Sequence, residues 1–131
     1  MQNNPETITE LVEKQVAMLN EGTVLVALNL FYADNCKMYH NDTLFSSTKE
    51  ESYDKQEPFV KPCTAIRGNI SKHVVKDNIS ILHNESSFTH PKYGDNQING
   101  IHVQYWENGK ITEEKYYQDE MLEEKIKEWF S

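Results

Sequence analysis

Five histidines, two cysteines and several carboxylate pairs are the groups in this 131-residue sequence best suited to chemistry near neutral pH. An imidazole, with an ordinary pKa near 6.5, can take up and return a proton at pH 7. His40 closes the alternating segment Cys36-Lys37-Met38-Tyr39-His40, which places it with Cys36 and Met38 on one face of a strand. Glu114 is the nearest carboxylate expected to face the same side, and a buried glutamate paired with His40 would shift both pKa values and make an acid/base couple. His73, His83, His90 and His102 show neither an i, i+4 helical pair nor Cys/His metal spacing, so no metal site is expected. Cys36 and Cys63 are isolated and read as reduced thiols, not as a disulfide framework or a metal knuckle. No G-x-G-x-x-G, P-loop or nucleophile elbow occurs, so the sequence supports no nucleotide cofactor, no other cofactor, and no serine or cysteine hydrolysis.

Composition bounds the partners. The formal charge is -8, with 37% hydrophobic and 26% charged residues, the balance of an acidic globular chain. No Lys/Arg cluster would hold a phosphate backbone against that charge, so nucleic acid is not an expected partner. No apolar run approaches the length of about 20 residues that a membrane span needs, and the N-terminus lacks a basic segment followed by an apolar one; no membrane partner is expected, and the expected location is cytoplasmic.

These side chains need elements to position them. Ile8, Leu11, Val12, Val16 and Leu19 recur at three- and four-residue steps, which predicts a helix opened by a Thr7/Glu10 capping box and closed near Gly22. A shorter helix runs through Val24, Leu25, Leu28 and Phe31, and the strand ending at His40 follows. Residues 41 to 52 are polar. Thr48 and Glu51 then open a third helix, shortened or kinked by Pro58 and Pro62. Beyond Ile66 the helical period is lost and β-type stretches run over about 66–76, 79–90 and 97–107. Asn108-Gly109 is the favoured pair for a type I′ turn, which sets Glu107 opposite Lys110. Met121, Leu122, Ile126, Trp129 and Phe130 lie on one stripe of a terminal helix.

An uninterrupted hairpin fixes the faces. It pairs Tyr105 with Thr112, Val103 with Glu114 and Ile101 with Tyr116, and this more apolar face is expected under the helices. The opposite face, carrying His102, Gln104, Trp106, Ile111, Glu113 and Lys115, is expected to be an outer surface suited to dimerisation.

Helices followed by long strands describe an α+β layout. Leu30-Phe31-Tyr32-Ala33-Asp34-Asn35 before the first strand and Trp106-Glu107-Asn108-Gly109-Lys110-Ile111 near the end resemble phrases of the SnoaL-like and ketosteroid-isomerase-like branches of the nuclear transport factor two-like superfamily. The likeness spans residues 7 to 119 or so and leaves 120–131 as an added helix. It implies a strongly curved antiparallel sheet wrapped around N-terminal helices as a cone or half-barrel, one domain over residues 1–131, a pocket for a small organic molecule, and a homodimer through the outer sheet.

It also implies roles. His40 falls where the isomerases place a general-base aspartate. Their oxyanion-stabilising tyrosine and protonated aspartic acid match Gln15 or Val16 and Ile101, which disfavours steroid isomerisation. Related epoxide hydrolases carry an aspartate where Tyr116 stands and need an arginine between carboxylates, whereas Arg67, the only arginine, lies in an earlier strand. SnoaL-type cyclases use an inward aspartate helped by a histidine, and Glu114 is the nearest inward carboxylate. The expected site therefore has His40, Glu114 and Tyr116 as catalytic residues and Gln15, Met38, Ile101, Val103 and Tyr105 as ligand contacts. The function is either proton transfer of isomerase, cyclase or lyase type, or non-catalytic ligand binding or protein association.

Overall fold

Side-chain caps start the first and third helices. The computed structural model describes residues 7–130. Helix α1 (Ile8–Asn20) opens with the reciprocal Thr7/Glu10 capping box, and α2 (Val24–Phe31) follows. Strand β1 (Tyr32–His40) leads into β2 (Thr43–Ser46) through Asn41 and Asp42, both at positive φ. Helix α3 (Lys49–Val60) is capped by the Thr48 side chain, which accepts from the Glu51 amide, while the Glu51 carboxylate reaches back to the amide of Ser47. Pro58 sits in the last turn of α3 and does not prevent it.

The three β-type stretches are divided more finely than their composition suggests. The first splits into β3 (Ala65–Arg67) and β4 (Ile70–Lys76), the second into β5 (Ile79–Asn84) and β6 (Ser87–His90). After β7 (Gly94–Gln97) come the two long strands β8 (Gly100–Glu107) and β9 (Lys110–Gln118). A 3-10 turn over Asp119–Met121 leads into α4 (Leu122–Phe130).

The chain is an α+β fold with a six-stranded sheet in the order β2-β1-β9-β8-β5-β4 and a three-stranded sheet in the order β3-β6-β7. The ladders are antiparallel except β1–β9, which is parallel and sets Met38 beside Glu114 and His40 beside Tyr116. The turn at Asn108-Gly109 has both residues at positive φ and pairs Glu107 with Lys110, as its sequence predicts.

One residue later the register departs from a plain hairpin. Trp106 pairs with Ile111 but Tyr105 with Glu113, so Thr112 is an extra residue in β9, a β-bulge. A one-residue slip exchanges the faces of a strand. From there Gln104 pairs with Glu114, His102 with Tyr116 and Ile101 with Tyr117. Trp106 lies in the inner core, so by alternation the inner face of β8 is His102, Gln104 and Trp106, the bulge brings Glu114 and Tyr116 to it, and the expectation that Ile101, Val103 and Tyr105 lie under the N-terminal helices is overturned.

Both faces of the sheet are buried, each by different helices. The inner core joins Val12, Ala27, Leu28, Phe31, Cys36, Ile70, Leu82, Trp106 and Ile111. On the outer face Ile81, Ile101, Val103 and Tyr117 are buried against Met121, Leu122, Ile126, Trp129 and Phe130 of the C-terminal segment. Each such fully buried aliphatic side chain contributes about 1.5–3 kcal/mol, which is why a nine-residue helix holds its place there. Trp106, Ile111 and His102, expected on an exposed dimer surface, lie on the inner face instead, and α4 covers the face that carries Ile101 and Val103. Gly68 makes the seam between α1 and the start of β4 possible, since a Cβ there would lie 1.7 Å from the Leu19 carbonyl oxygen.

Candidate functional site

The inner face of the curved sheet does not fill completely. Between it, α1, α2, α3 and the second sheet lies a cavity of about 770 Å³. Its walls are mostly apolar, with Leu19, Val24, Leu28, Phe45, Phe59, Val60, Ile66, Phe88 and Ile98 among them. Polar groups come from the strands: Tyr32, His40, Asn84, His102, Glu114, Tyr116 and Gln118. A volume of this size suits a drug-sized molecule.

Glu114 is the centre of the polar part, with 2% of its surface exposed. Its Oε2 accepts a short hydrogen bond from the Tyr32 hydroxyl and one from Gln104 Nε2 at 2.8 Å. His102 Nδ1 lies 3.3 Å from the same oxygen, within ion-pair range but outside hydrogen-bonding angles. Among the described residues no hydrogen bond or ion pair falls on Oε1. Burial pushes the Glu114 pKa up, but the His102 charge beside it and the donors Tyr32 and Gln104 together outweigh it and hold the carboxyl below its ordinary value. Burial, then the Glu114 charge, pushes the Tyr32 hydroxyl well above its ordinary value, so it stays protonated and can donate.

Gln104 ties this carboxylate to the scaffold. It exchanges two hydrogen bonds with Gln15 on α1 (3.0 and 2.7 Å) and accepts one from Ser80 at 2.7 Å, while Ser80 accepts from the Trp106 indole at 2.8 Å. Gln15, Ser80, Gln104 and Glu114 are all buried. A network of this kind, closed on itself inside a low-dielectric core, fixes side-chain positions far better than a surface network does.

Tyr116 lies two residues along from Glu114 on the same face of β9. Its ring is flanked by His102, with centroids 4.6 Å apart, and by His40, edge-on at 5.6 Å. The Tyr116 hydroxyl oxygen is buried, with no hydrogen-bond partner among the described residues. His40 is exposed at the end of β1.

Of the residues expected from the sequence, Gln15, Met38, His40, Glu114 and Tyr116 line this cavity. Ile101, Val103 and Tyr105 do not; they alternate with the inward Trp106 and pack on the other side of the sheet with α4, while the Thr112 bulge brings Glu114 and Tyr116 to the inner face. The imidazole against Glu114 is His102, not His40. Tyr32, His102 and Gln104 escaped the sequence reading. The signal that could have found them was the terminal helix, whose apolar stripe required an apolar sheet face of its own, and Ile101 and Val103 supply it.

The structure has many counterparts. A candidate SnoaL-like polyketide cyclase from Mesorhizobium loti aligns over 86% of this chain and 100% of its own, with 22% identity and a TM-score of 0.73. The fold is that of the SnoaL-like, nuclear transport factor two-like proteins. A cystatin-fold protein from Novosphingobium aromaticivorans covers 87% of this chain and 100% of its own at 10% identity and a TM-score of 0.72. A ketosteroid isomerase-like protein from Catenulispora acidiphila, determined in complex with trimethylamine, covers 88% and 90% at 12% identity and a TM-score of 0.65. No family model matches the sequence, and no curated protein matches it. At these identities the likeness carries the fold and not the reaction. Among the described residues no helix is long and apolar enough to cross a membrane, and no cluster of three or more His, Cys, Asp or Glu is placed to hold a metal ion.

Proposed function

We propose that the cavity binds a small neutral organic molecule bearing a carbonyl group and that Glu114 moves a proton on it. The observation that carries this reading is the asymmetry of the Glu114 carboxylate, with Oε2 held by Tyr32, Gln104 and His102 and Oε1 left without a partner in a residue that lines the cavity. A carboxylate held in this way is oriented and charged before the ligand arrives, so no reorganisation is needed when it accepts a proton. The step would break a C–H bond next to the carbonyl, leave its electron pair on the carbonyl oxygen as an enolate, and place the proton on Oε1. Return of the proton to the same or another carbon completes an isomerase, cyclase or lyase half-reaction.

His102 serves as the charge partner that keeps Glu114 ionised, which is the carboxylate-with-histidine arrangement that the SnoaL resemblance implies. His40, exposed at the cavity rim beside Tyr116, suits proton exchange with solvent. A homodimer belongs to this reading only in a form that keeps or exchanges α4, since that helix covers the outer face.

The test is hydrogen–deuterium exchange at the α-carbon of 1-indanone and 2-tetralone in heavy water, followed by NMR, with wild type and Glu114→Gln. The variant is nearly isosteric, and its amide oxygen can keep the bonds made to Oε2. Exchange should be faster with wild type than with the variant by about 100-fold or more. Equal rates for both proteins and every ketone would leave a binding module as the better description.

A further inference from the structure

An enolate needs a donor at its oxygen as well as a base at its carbon, and the donors around Glu114 are committed. Tyr32 donates its hydrogen bond to Glu114, the amides of Gln15 and Gln104 serve each other, and His102 Nδ1 faces Glu114. Tyr116 is different. It lines the cavity, yet its hydroxyl is buried and has no hydrogen-bond partner among the described residues. A buried hydroxyl without a partner is an unfavourable state that calls for an explanation.

Gly100 shows where that hydroxyl rests. A Cβ on Gly100 would lie 2.2 Å from the Tyr116 hydroxyl oxygen, 2.3 Å from Cζ and 2.5 Å from Cε1, so the end of the ring sits directly on the bare backbone of β8. The glycine is not required by its own backbone, because the positive-φ glycines are Gly22, Gly94 and Gly109. Its missing side chain is needed by the tyrosine.

We propose that Tyr116 is the hydrogen-bond donor of the site, parked over Gly100 and drawn toward the cavity by a ligand carbonyl oxygen. Parking leaves the hydroxyl unsatisfied, so a modest turn that gives it an acceptor is favoured once such an acceptor is present. Until then the ring end occupies the space that a side chain at Gly100 would take. Burial, followed by the charges of Glu114 and Asp119, pushes the Tyr116 hydroxyl above its ordinary value, which keeps it protonated as a donor must be. This assignment rests on Glu114 being the base, and its test is arranged to fail separately.

The experiment measures two things on wild type, Tyr116→Phe, Gly100→Ala and Gly100→Ala/Tyr116→Phe. The first is α-proton exchange with 1-indanone and 2-tetralone, resolved into kcat and KM. The second is tyrosine ionisation by ultraviolet absorbance. Tyr116→Phe should lower kcat by about 100-fold with little change in KM, the loss typical of one oxyanion donor. Gly100→Ala should displace the ring and bring one additional tyrosine into the ordinary range near 10, a change absent in the double variant. A wild-type exchange rate in Tyr116→Phe, or an unchanged tyrosine titration in Gly100→Ala, overturns the proposal. If wild type and Glu114→Gln exchange equally, the donor role falls with the base, and the titration alone decides whether Gly100 parks Tyr116. Should Gly100→Ala not fold, Gly100→Ala/Tyr116→Val must fold as well as Tyr116→Val does; equal failure would show that the glycine serves something else.

Discussion

Replacing Gln104 by leucine tests whether the buried network, and not the apolar lining alone, holds the site together. The side chain takes part in two hydrogen bonds with Gln15, one with Ser80, and contacts with Tyr32 at 3.1 Å and Glu114 at 2.8 Å. Leucine has nearly the same size but removes all of them. The Gln15 amide then loses both its donor and its acceptor in a residue 1% exposed, and the Ser80 hydroxyl loses its acceptor. Each such orphan costs about 1–3 kcal/mol. Added apolar burial returns about 1–2 kcal/mol, which leaves a net loss of about 1–8 kcal/mol, centred near 4. For a chain of this length that is a fall in Tm of roughly 10–20 °C. Thermal melts followed by circular dichroism would show it. The companion Gln15→Leu/Gln104→Leu removes the orphaned pair together and should cost less than the sum of the two single changes by about 1–3 kcal/mol. A loss below about 1 kcal/mol for Gln104→Leu, or strict additivity in the double variant, would refute the network as a positioning device.

Three further outcomes follow from the same geometry. The carboxyl of Glu114 has a folded pKa below its unfolded one, so its contribution to stability is fully present above the ordinary value of 4.5 and is lost as pH falls through the folded value. Chemical unfolding measured as a function of pH should therefore lose part of its acid slope in Glu114→Gln, and an identical slope would contradict the assignment. Gly68→Ala should destabilise by more than about 3 kcal/mol or prevent folding, because its Cβ would strike the Leu19 carbonyl at 1.7 Å; melts like those of wild type would show the contact to be wrong. Burial, then the charges of Glu114 and Glu113, pushes the buried Cys36 thiol to about 12, whereas Cys63 is partly exposed. Under a thiol-disulfide reagent Cys63 should react in the folded protein and Cys36 only at the rate of unfolding; fast modification of both would place Cys36 elsewhere.

Features specified by neighbouring residues were legible in the sequence. The Thr7/Glu10 box, the Thr48 cap and the Asn108-Gly109 turn each depend on three or four adjacent positions, and each forms. The inward side of β1, carrying Cys36, Met38 and His40, was legible for the same reason, since alternation along one strand needs no partner. The pairing of β8 with β9 was legible only up to Trp106. Whether Thr112 bulges depends on which side chains the two cores accept, and these cores are assembled from α1, α2 and α4, far away in sequence. That one residue brought Glu114 and Tyr116 to the face of Gln104 and His102, whereas Ile101, Val103 and Tyr105 face outward because they alternate with the inward Trp106. The contacts of Gly68 with α1 and of Gly100 with Tyr116 were likewise hidden, because a glycine between or within strands does not announce which neighbour needs its missing Cβ.

The most direct measurement is a carbon NMR titration of the Glu114 carboxyl in wild type and in His102→Gln, free and with 1-indanone added. Glu114 should ionise below the ordinary carboxylate value in wild type, ionise at higher pH once His102 is gone, and shift its signal when the ketone enters. A carboxyl that titrates at or above 4.5 in wild type, ignores the loss of His102 and does not sense the ketone would contradict a preorganised base at the floor of this cavity.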